Sequence, residues 1–286
     1  ANPDSAVDVS WFRAVAGMGV NRLSLGVQSF DDARLRFLGR PHSAGMAVEA
    51  YRNARRAGLG NVSLDLMWGL PGQKLKDWLE ELKYGVDLAP EHLSCYGLTL
   101  ESGTPMHREH LEGGFELPAE KVQARMFLNG ADYLESRGYL QYEISNFARM
   151  GFMSRHNLGY WSQADYLGLG PSAVSTLGRR RFRNPEYLDA YDAAVRGGFV
   201  GDDFEELTEA TRLQEYVMLS LRTTRGMRLA WFRKLAGFEL TRARPKLVQA
   251  LYANNLIRVS GGRLRLTREG MLVSNAIVRA IAFDDA

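Results

Sequence analysis

Over the first 145 residues, short apolar runs alternate with segments of helical periodicity, and this alternation restricts the possible folds more than any other property of the chain. Arg22-Leu-Ser-Leu-Gly-Val-Gln28 reads as a strand, and Ala47 to Ala57 reads as a helix stopped by Gly58. Asn61-Val-Ser-Leu-Asp-Leu-Met67 is a second strand, closed by Gly69-Leu-Pro-Gly72; Asp77 to Leu88 is helical, and Glu91 to Leu100 is a third strand. Strands separated by helices imply right-handed βαβ units and a parallel sheet. The strands look almost continuously apolar, so the sheet is expected to be covered on both faces. A helix over Glu120 to Arg137, with Gly138 as its stop, precedes a further strand-like segment from Tyr139 to Phe147.

The rest of the chain has a different texture. Residues 148–185 are rich in Gly, aromatic residues and Arg with little periodicity, the profile of loops that carry function. Within them, Arg179-Arg-Arg-Phe-Arg183 reads as a solvated basic turn. From Thr208 onward helices return over Thr211 to Thr223, Arg228 to Ala236 and Arg242 to Asn254. A hairpin around Gly261-Gly262 and a last helix, Arg268 to Ala280 capped by Thr267, follow in the manner of a winged helix. Three segments are expected: 1–147, a connecting region 148–207, and 208–286.

Composition removes several function classes. Thirty-six Lys+Arg against 33 Asp+Glu give a net charge of +3, too small an excess to imply nucleic acid. Cys95 is the only cysteine, so neither a disulfide framework nor a metal site built from several cysteines of this chain is possible. A reducing, cytoplasmic setting is the expectation. No apolar run reaches the roughly 18 to 20 residues of a membrane span. The chain opens on Ala1-Asn2-Pro3-Asp4 instead of Met, which predicts a truncated or processed start.

In a parallel α/β sheet, ligands gather beyond the carboxyl ends of the strands. The polar residues there are Gln28 and Ser29, Asp65, Thr99 and Glu101, and Tyr142 and Glu143. An Asp inside an apolar strand is costly unless hydrogen-bonded, so Asp65 either meets a ligand or pairs with a structural group. Gly69-Leu-Pro-Gly72 lacks the Lys-Ser/Thr ending of a phosphate loop and reads as a tight turn. Neither a Gly-x-Ser-x-Gly elbow nor a His-Glu-x-x-His helix occurs. His107 and His110 have helical spacing, but Pro105 and Gly113 suggest an exposed loop. His156 stands out by its company, Arg155-His-Asn-Leu-Gly-Tyr-Trp161, read here as a loop. Aromatic faces and a cation suit a flat conjugated ligand bearing carboxylates, and imidazole can ligate iron.

These segments resemble a known family. Asn21-Arg-Leu-Ser-Leu-Gly-Val-Gln-Ser-Phe30, Leu38-Gly-Arg-Pro-His42, Leu64-Asp-Leu-Met-Trp-Gly-Leu-Pro-Gly-Gln73, Glu143-Ile-Ser-Asn-Phe-Ala148, His156-Asn-Leu-Gly-Tyr-Trp161 and Tyr166-Leu-Gly-Leu-Gly-Pro171 occur in order across the chain. Together they resemble the radical S-adenosylmethionine (SAM) family of oxygen-independent coproporphyrinogen III oxidases, and within it the haem-chaperone branch. The resemblance implies an α/β fold: a partial (β/α) radical SAM barrel without its first strands, followed by a small winged-helix-like C-terminal domain. It implies SAM and a 4Fe-4S cluster as cofactors, with Gln28, Arg40, Asp65, Thr99 and Tyr142 on the SAM side. It also implies haem or porphyrin near His156, Asn157, Tyr160 and Trp161, and delivery of haem to an acceptor protein, including membrane-associated ones. The family's CxxxCxxC cluster motif is absent from the sequence and is expected upstream of Ala1. Two further departures are Ser154, where these relatives usually have Cys, and Val174, where they have His.

Three functions therefore follow as expectations: a haem chaperone, a radical coproporphyrinogen III oxidase, and a nucleic-acid binder using the winged helix. The third would place Arg242, Arg244 and Lys246 on a recognition helix and Arg263 and Arg265 on the wing. A packing module without DNA function is the favoured reading of that domain, and whether the chain is an enzyme stays open.

Overall fold

The computed structural model describes residues 1–4, 8–198 and 204–282; residues 199–203 of the expected connecting region and residues 283–286 lie outside the described set. The chain divides into two compact units, Ala1–Met153 and Ser154–Ala286. Residues 148–207 and 208–286, read as separate segments, thus fall largely within one unit.

The first unit contains α1 (Val9–Gly17), β1 (Leu23–Gln28), α2 (Asp32–Phe37), α3 (Ala44–Arg56), β2 (Val62–Trp68), α4 (Leu75–Asp87), β3 (His92–Gly97), α5 (Pro105–Leu111), α6 (Glu120–Ser136), β4 (Leu140–Gln141) and β5 (Asn146–Ala148). The sheet order is β1-β2-β3-β5-β4. β1, β2 and β3 run parallel, as the alternation predicts. The expected strand from Tyr139 to Phe147 is instead a short hairpin: β4 and β5 pair antiparallel, and β5 is antiparallel to β3. His107 and His110 lie on α5, because Thr104 caps the helix and Pro105 occupies its first turn, where a missing N–H costs nothing.

The strands are not apolar throughout. Leu25, Val27, Leu64, Leu66 and Leu93 belong to the core with residues of α3, α4 and α6, while Ser24, Ser63, Asp65 and Ser94 alternate with them. The second face is therefore polar, and its buried groups are satisfied by one another. Ala1 lies against the outer edge of β1, donating its N–H to the Ser24 carbonyl at 2.7 Å and accepting from the Gly26 N–H at 3.0 Å, the two bonds of a parallel bridge.

Helices α4 and α6 approach each other closely through a small residue. A Cβ on Gly130 of α6 would lie 2.6 Å from Nε1 of Trp78, and that indole N–H donates to the Met126 carbonyl at 3.1 Å. Trp78 of α4 is thus seated against the α6 backbone. A charged network ties α4 to the turn after β1: Glu81 accepts from Ser29 Oγ, from the Phe30 N–H at 2.7 Å and from Arg34 at 3.1 Å, and Arg34 also reaches Asp77 at 3.0 Å.

The second unit begins with α7 (Arg155–Trp161), β6 (Val174–Leu177), β7 (Arg180–Arg183), α8 (Leu188–Arg196), β8 (Glu205–Glu206) and α9 (Glu209–Leu221). It continues with β9 (Met227–Arg228), α10 (Leu229–Ala236), α11 (Leu240–Ala243), α12 (Pro245–Ala253), β10 (Ile257–Ser260), β11 (Arg263–Leu266), α13 (Arg268–Leu272) and α14 (Ser274–Ala282). The wing hairpin is as expected, with Gly261 and Gly262 both at positive φ as a two-residue turn requires. The expected helix from Arg242 to Asn254 is broken at Arg244, since Pro245 removes a backbone donor and disfavours the helical conformation before it. The final helix is likewise two, α13 and α14.

The basic run is not a turn. Arg180–Arg183 is the central strand of β6-β7-β8, and its charges are individually engaged. Arg181 makes a bidentate pair with Glu215 at 2.6 and 2.9 Å, Arg179 meets Glu209 at 2.7 Å, and Arg180 stacks over Phe204 at 4.5 Å. Among the described residues, no helix is long and apolar enough to cross a membrane.

Removing one partner from a buried ion pair leaves an uncompensated charge. Glu81→Ala is expected to lower stability by about 3 kcal/mol, read as a lower urea midpoint with an unchanged slope. A loss under about 1 kcal/mol would show that the network is not holding the turn.

Candidate functional site

Asp65 sits in the middle of β2, in register with Ser94. Both of its carboxylate oxygens accept from Ser24 Oγ at 2.9 Å, and Oδ1 also receives Ser63 Oγ at 3.3 Å. Ser63 Oγ meets His92 Nδ1 at 2.8 Å, and His92 Nε2 meets the Tyr142 hydroxyl at 2.8 Å. Burial pushes the His92 imidazole down to about 3, with the charge of Arg22 acting in the same direction, so the ring is neutral at physiological pH. One tautomer satisfies the whole chain: Tyr142 donates to Nε2, Nδ1–H donates to Ser63, and Ser63 donates to Asp65. Asp65 is thereby fixed in orientation while remaining partly accessible.

Gln28 ends β1 with φ at 66°, and its Nε2 lies 3.0 Å from where a Cβ on Gly26 would be. Its amide therefore folds onto the Ser24 side of the strand, the face that carries Asp65. Glycine at position 26 is what leaves that space open. Arg40 follows α2 with a buried Nε that has no hydrogen-bond partner. Thr99 is exposed, two residues beyond β3. Gln28, Asp65 and Tyr142 thus share one face; Arg40 and Thr99 make no hydrogen bond to the Asp65 network among the described residues.

Glu143 adjoins this face and is fully buried. Burial raises its carboxyl to about 7, against the partly opposing hydrogen bonds from the Ser145 N–H and from Asn146. Glu143 Oε1 and Asn146 Oδ1 are both buried without a partner. Buried polar atoms of this kind ordinarily find one, so the polar face is suited to a polar ligand such as SAM. An iron-sulfur cluster does not fit these residues. Cys95 points into the apolar core, its thiol is pushed up by burial and by the charges of Asp65 and Glu143, and no three His, Cys, Asp or Glu side chains converge among the described residues.

In the second unit, Arg155–Trp161 is a helix and not the expected loop. Ser154, buried, caps it by accepting from the Asn157 N–H at 3.4 Å. Helical spacing separates the four candidate residues into two pairs. His156 and Tyr160 are stacked edge-to-face at 4.7 Å, and Tyr160 meets Tyr166 in the same way at 4.7 Å. Asn157 and Trp161, also four apart, occupy another face, and Trp161 lines a cavity of about 390 Å³ beside α9 and the wing. Val174 opens β6, on the strand edge, half-exposed.

Ser24, Ser63, His92 and Ser94 were not singled out as site residues from sequence. The signal was present in the alternation of polar and apolar residues along β1, β2 and β3.

Two family models match the chain: the radical SAM superfamily over residues 2–85 and the HemN C-terminal domain over residues 207–273. The haem chaperone HemW of Bacillus subtilis is 36% identical over 281 residues, covering 98% of this chain and 74% of that protein. The chain belongs to the HemW family of radical SAM proteins. The mitochondrial radical S-adenosyl methionine domain-containing protein 1 of Mus musculus is 35% identical over 97% of this chain and 65% of its own length. HemW of Mycobacterium tuberculosis (strain ATCC 25618 / H37Rv) is 33% identical over 98% and 70%. The chain thus spans between about two thirds and three quarters of the length of these relatives. Coproporphyrinogen III oxidase (HemN) of Escherichia coli superposes with a TM-score of 0.76 over 99% of this chain and 68% of its own, at 21% identity, and so shares the fold. Radical SAM proteins as a family use SAM and a 4Fe-4S cluster.

The raised Glu143 carboxyl makes stability depend on pH. The folded chain holds this proton up to about 7, whereas the unfolded carboxyl loses it near its ordinary 4.5, so stability falls as pH rises through that window. Glu143→Gln is expected to flatten the melting temperature between those two values. An unchanged slope would mean that Glu143 is not the group responsible.

Proposed function

We propose that this chain is the SAM-binding and haem-handling part of a HemW-like protein, which binds haem and passes it to an acceptor protein, including membrane-associated acceptors. The observation that carries the haem reading is α7: His156 is exposed and held edge-on by Tyr160 at 4.7 Å, an imidazole presented at the surface beside aromatic rings. Exposure leaves the imidazole free of a burial cost and accessible to iron. Asn157 and Trp161 lie on the adjoining face of the same short helix. Neither Ser154 nor Val174 supplies a soft or imidazole ligand, so in this reading iron ligation falls to His156.

On the first unit, Gln28, Arg40, Asp65, Thr99 and Tyr142 are the proposed SAM contacts. Asp65 is the hydrogen-bond acceptor for ribose hydroxyls or the amino group, and the Arg40 guanidinium is the partner of the methionine carboxylate. Ser24, Ser63 and His92 hold Asp65 in place. When bound with a reduced cluster, SAM supplies radical chemistry. The cluster has no ligand set in these 286 residues.

A second reading, radical oxidation of coproporphyrinogen III, is favoured by the HemN-like fold alone. Anaerobic incubation of the reduced, cluster-loaded protein with coproporphyrinogen III and SAM distinguishes the two, since turnover to protoporphyrinogen would replace the chaperone reading. The nucleic-acid reading has less support. Arg244 donates to the Ala280 carbonyl, Arg242 pairs with Glu239 at 2.9 Å, and Arg265 donates to Ser260 at 2.8 Å, so these cations are spent locally.

Haem titration is expected to give a Soret band that shifts or weakens in His156→Ala, with affinity falling about ten-fold or more. An identical spectrum would remove His156 as a ligand. Asp65→Ala is expected to weaken SAM binding about ten-fold by calorimetry while leaving the haem spectrum intact; unchanged SAM affinity would remove Asp65 from that site.

A further inference from the structure

The cavity beside α7, α9 and the wing is charged in a one-sided way. Its wall includes Trp161, Tyr216 and Trp231 together with Arg225, Arg228 and Arg263, and none of its lining residues is acidic. None of the three arginines forms an ion pair with a carboxylate among the described residues. Arg263 instead donates to the carbonyl of Gly226 at 3.0 Å, which holds its guanidinium at the wing edge. The contrast with the adjoining cavity is informative. That second cavity, also about 390 Å³, is lined by Asp165 and Glu215 as well as Arg181 and Arg212, and Arg181 is already bound to Glu215 at 2.6 Å. Some arginines elsewhere in this unit are paired with carboxylates: Arg179 with Glu209, Arg196 with Asp192, Arg233 and Arg242 with Glu239. Three guanidiniums without a carboxylate partner among the described residues thus line one hollow that holds no acidic side chain.

The aromatic part of the wall is equally specific. Trp231 is 40% exposed, with Lys234 Nζ 4.6 Å from its ring centroid, so an indole face is presented to solvent beside a further cation. The Tyr216 hydroxyl is bound to the backbone of Arg228, accepting from its N–H at 2.8 Å, and so fixes the start of α10 that carries Arg228 and Trp231. Indole faces select flat conjugated surfaces, and guanidiniums select carboxylates with paired, directional bonds.

We infer that this cavity is a binding site for a flat, conjugated dicarboxylate, whose ring system lies against Trp161 and Trp231 and whose carboxylates are taken by Arg225 and Arg228, with Arg263 raising the local positive potential. The inference rests on the haem-handling reading only for the class of biological ligand: His156 does not line this cavity, so a ring held here occupies a second site, separate from the one whose iron His156 meets. It requires no metal.

The test uses the whole protein and metal-free mesoporphyrin, which cannot be ligated through iron, alongside its dimethyl ester, which lacks the carboxylates. Binding is read as quenching of tryptophan fluorescence and as the porphyrin's own absorbance shift. The diacid is expected to bind about ten-fold or more tightly than the diester, and the preference is expected to disappear in Arg225→Ala/Arg228→Ala. Trp231→Leu is expected to weaken both probes alike. His156→Ala is expected to leave metal-free binding unchanged, and circular dichroism of each variant confirms its folding. Equal binding of diacid and diester, or a preference that survives the double variant, would overturn the inference. Those results would leave the haem reading standing, because haem held through His156 alone still shows its His156-dependent Soret band. Loss of that band with the diacid preference intact would count against the haem reading instead.

Discussion

Burial of Leu25, Leu64, Leu66 and Leu93 against α3, α4 and α6 is the contact on which the first unit depends. Each of these side chains is fully buried, a contribution of about 1.5 to 3 kcal/mol apiece before the entropy of ordering is counted. Strand side chains alternate, so sending these leucines toward the helices leaves no choice for their neighbours. Ser24, Ser63, Asp65 and Ser94 must occupy the opposite face, and a slip of one residue would place a carboxylate in the leucine core. The hydrophobic contact therefore positions the polar site without touching it. Trp78 seated on Gly130 and Glu81 holding the Ser29 turn do the same for the ends of the strands.

Polar groups on that second face are arranged so that almost every one is answered. The neutral His92 ring is central, because an imidazolium there would carry an unpaired charge beside Arg22. Satisfaction stops at Glu143 Oε1 and Asn146 Oδ1, buried atoms beside this face that have no hydrogen-bond partner. The second unit follows a different rule. Several of its arginines are paired with carboxylates, as Arg181 is with Glu215 and Arg179 with Glu209, while those around the cavity beside the wing have no acidic side chain among its lining residues.

Much of the fold was legible before any coordinates. The three parallel strands, the wing hairpin and the cap at Thr267 all carry local signals that the backbone obeys. What escaped was set by contacts distant in sequence. Arg179 to Arg183 reads as a basic turn in isolation, but Glu209 and Glu215 on a later helix make a strand affordable there. Tyr139 to Phe147 has the composition of one strand, yet it folds back on itself because β3 offers an antiparallel edge to Asn146–Ala148. The mixed composition from Arg155 to Trp161 suggests a loop, although Ser154 is a favourable cap for a helix.

By itself, the sequence determined the parallel sheet and the identity of Gln28 and Asp65 as polar strand residues to question, since hydrophobic period is a property of neighbours along the chain, and its motif blocks carried the resemblance to the family, which added Arg40. Only the tertiary structure decided which polar residues share a face and which charges are already spent. It joined Asp65 to Ser63, His92 and Tyr142, divided His156 and Tyr160 from Asn157 and Trp161, and left Arg225 and Arg228 without a carboxylate. The physical reason is that hydrogen bonds and ion pairs are made between groups brought close by packing, and closeness in space across 29 or 50 residues leaves no mark in the local pattern.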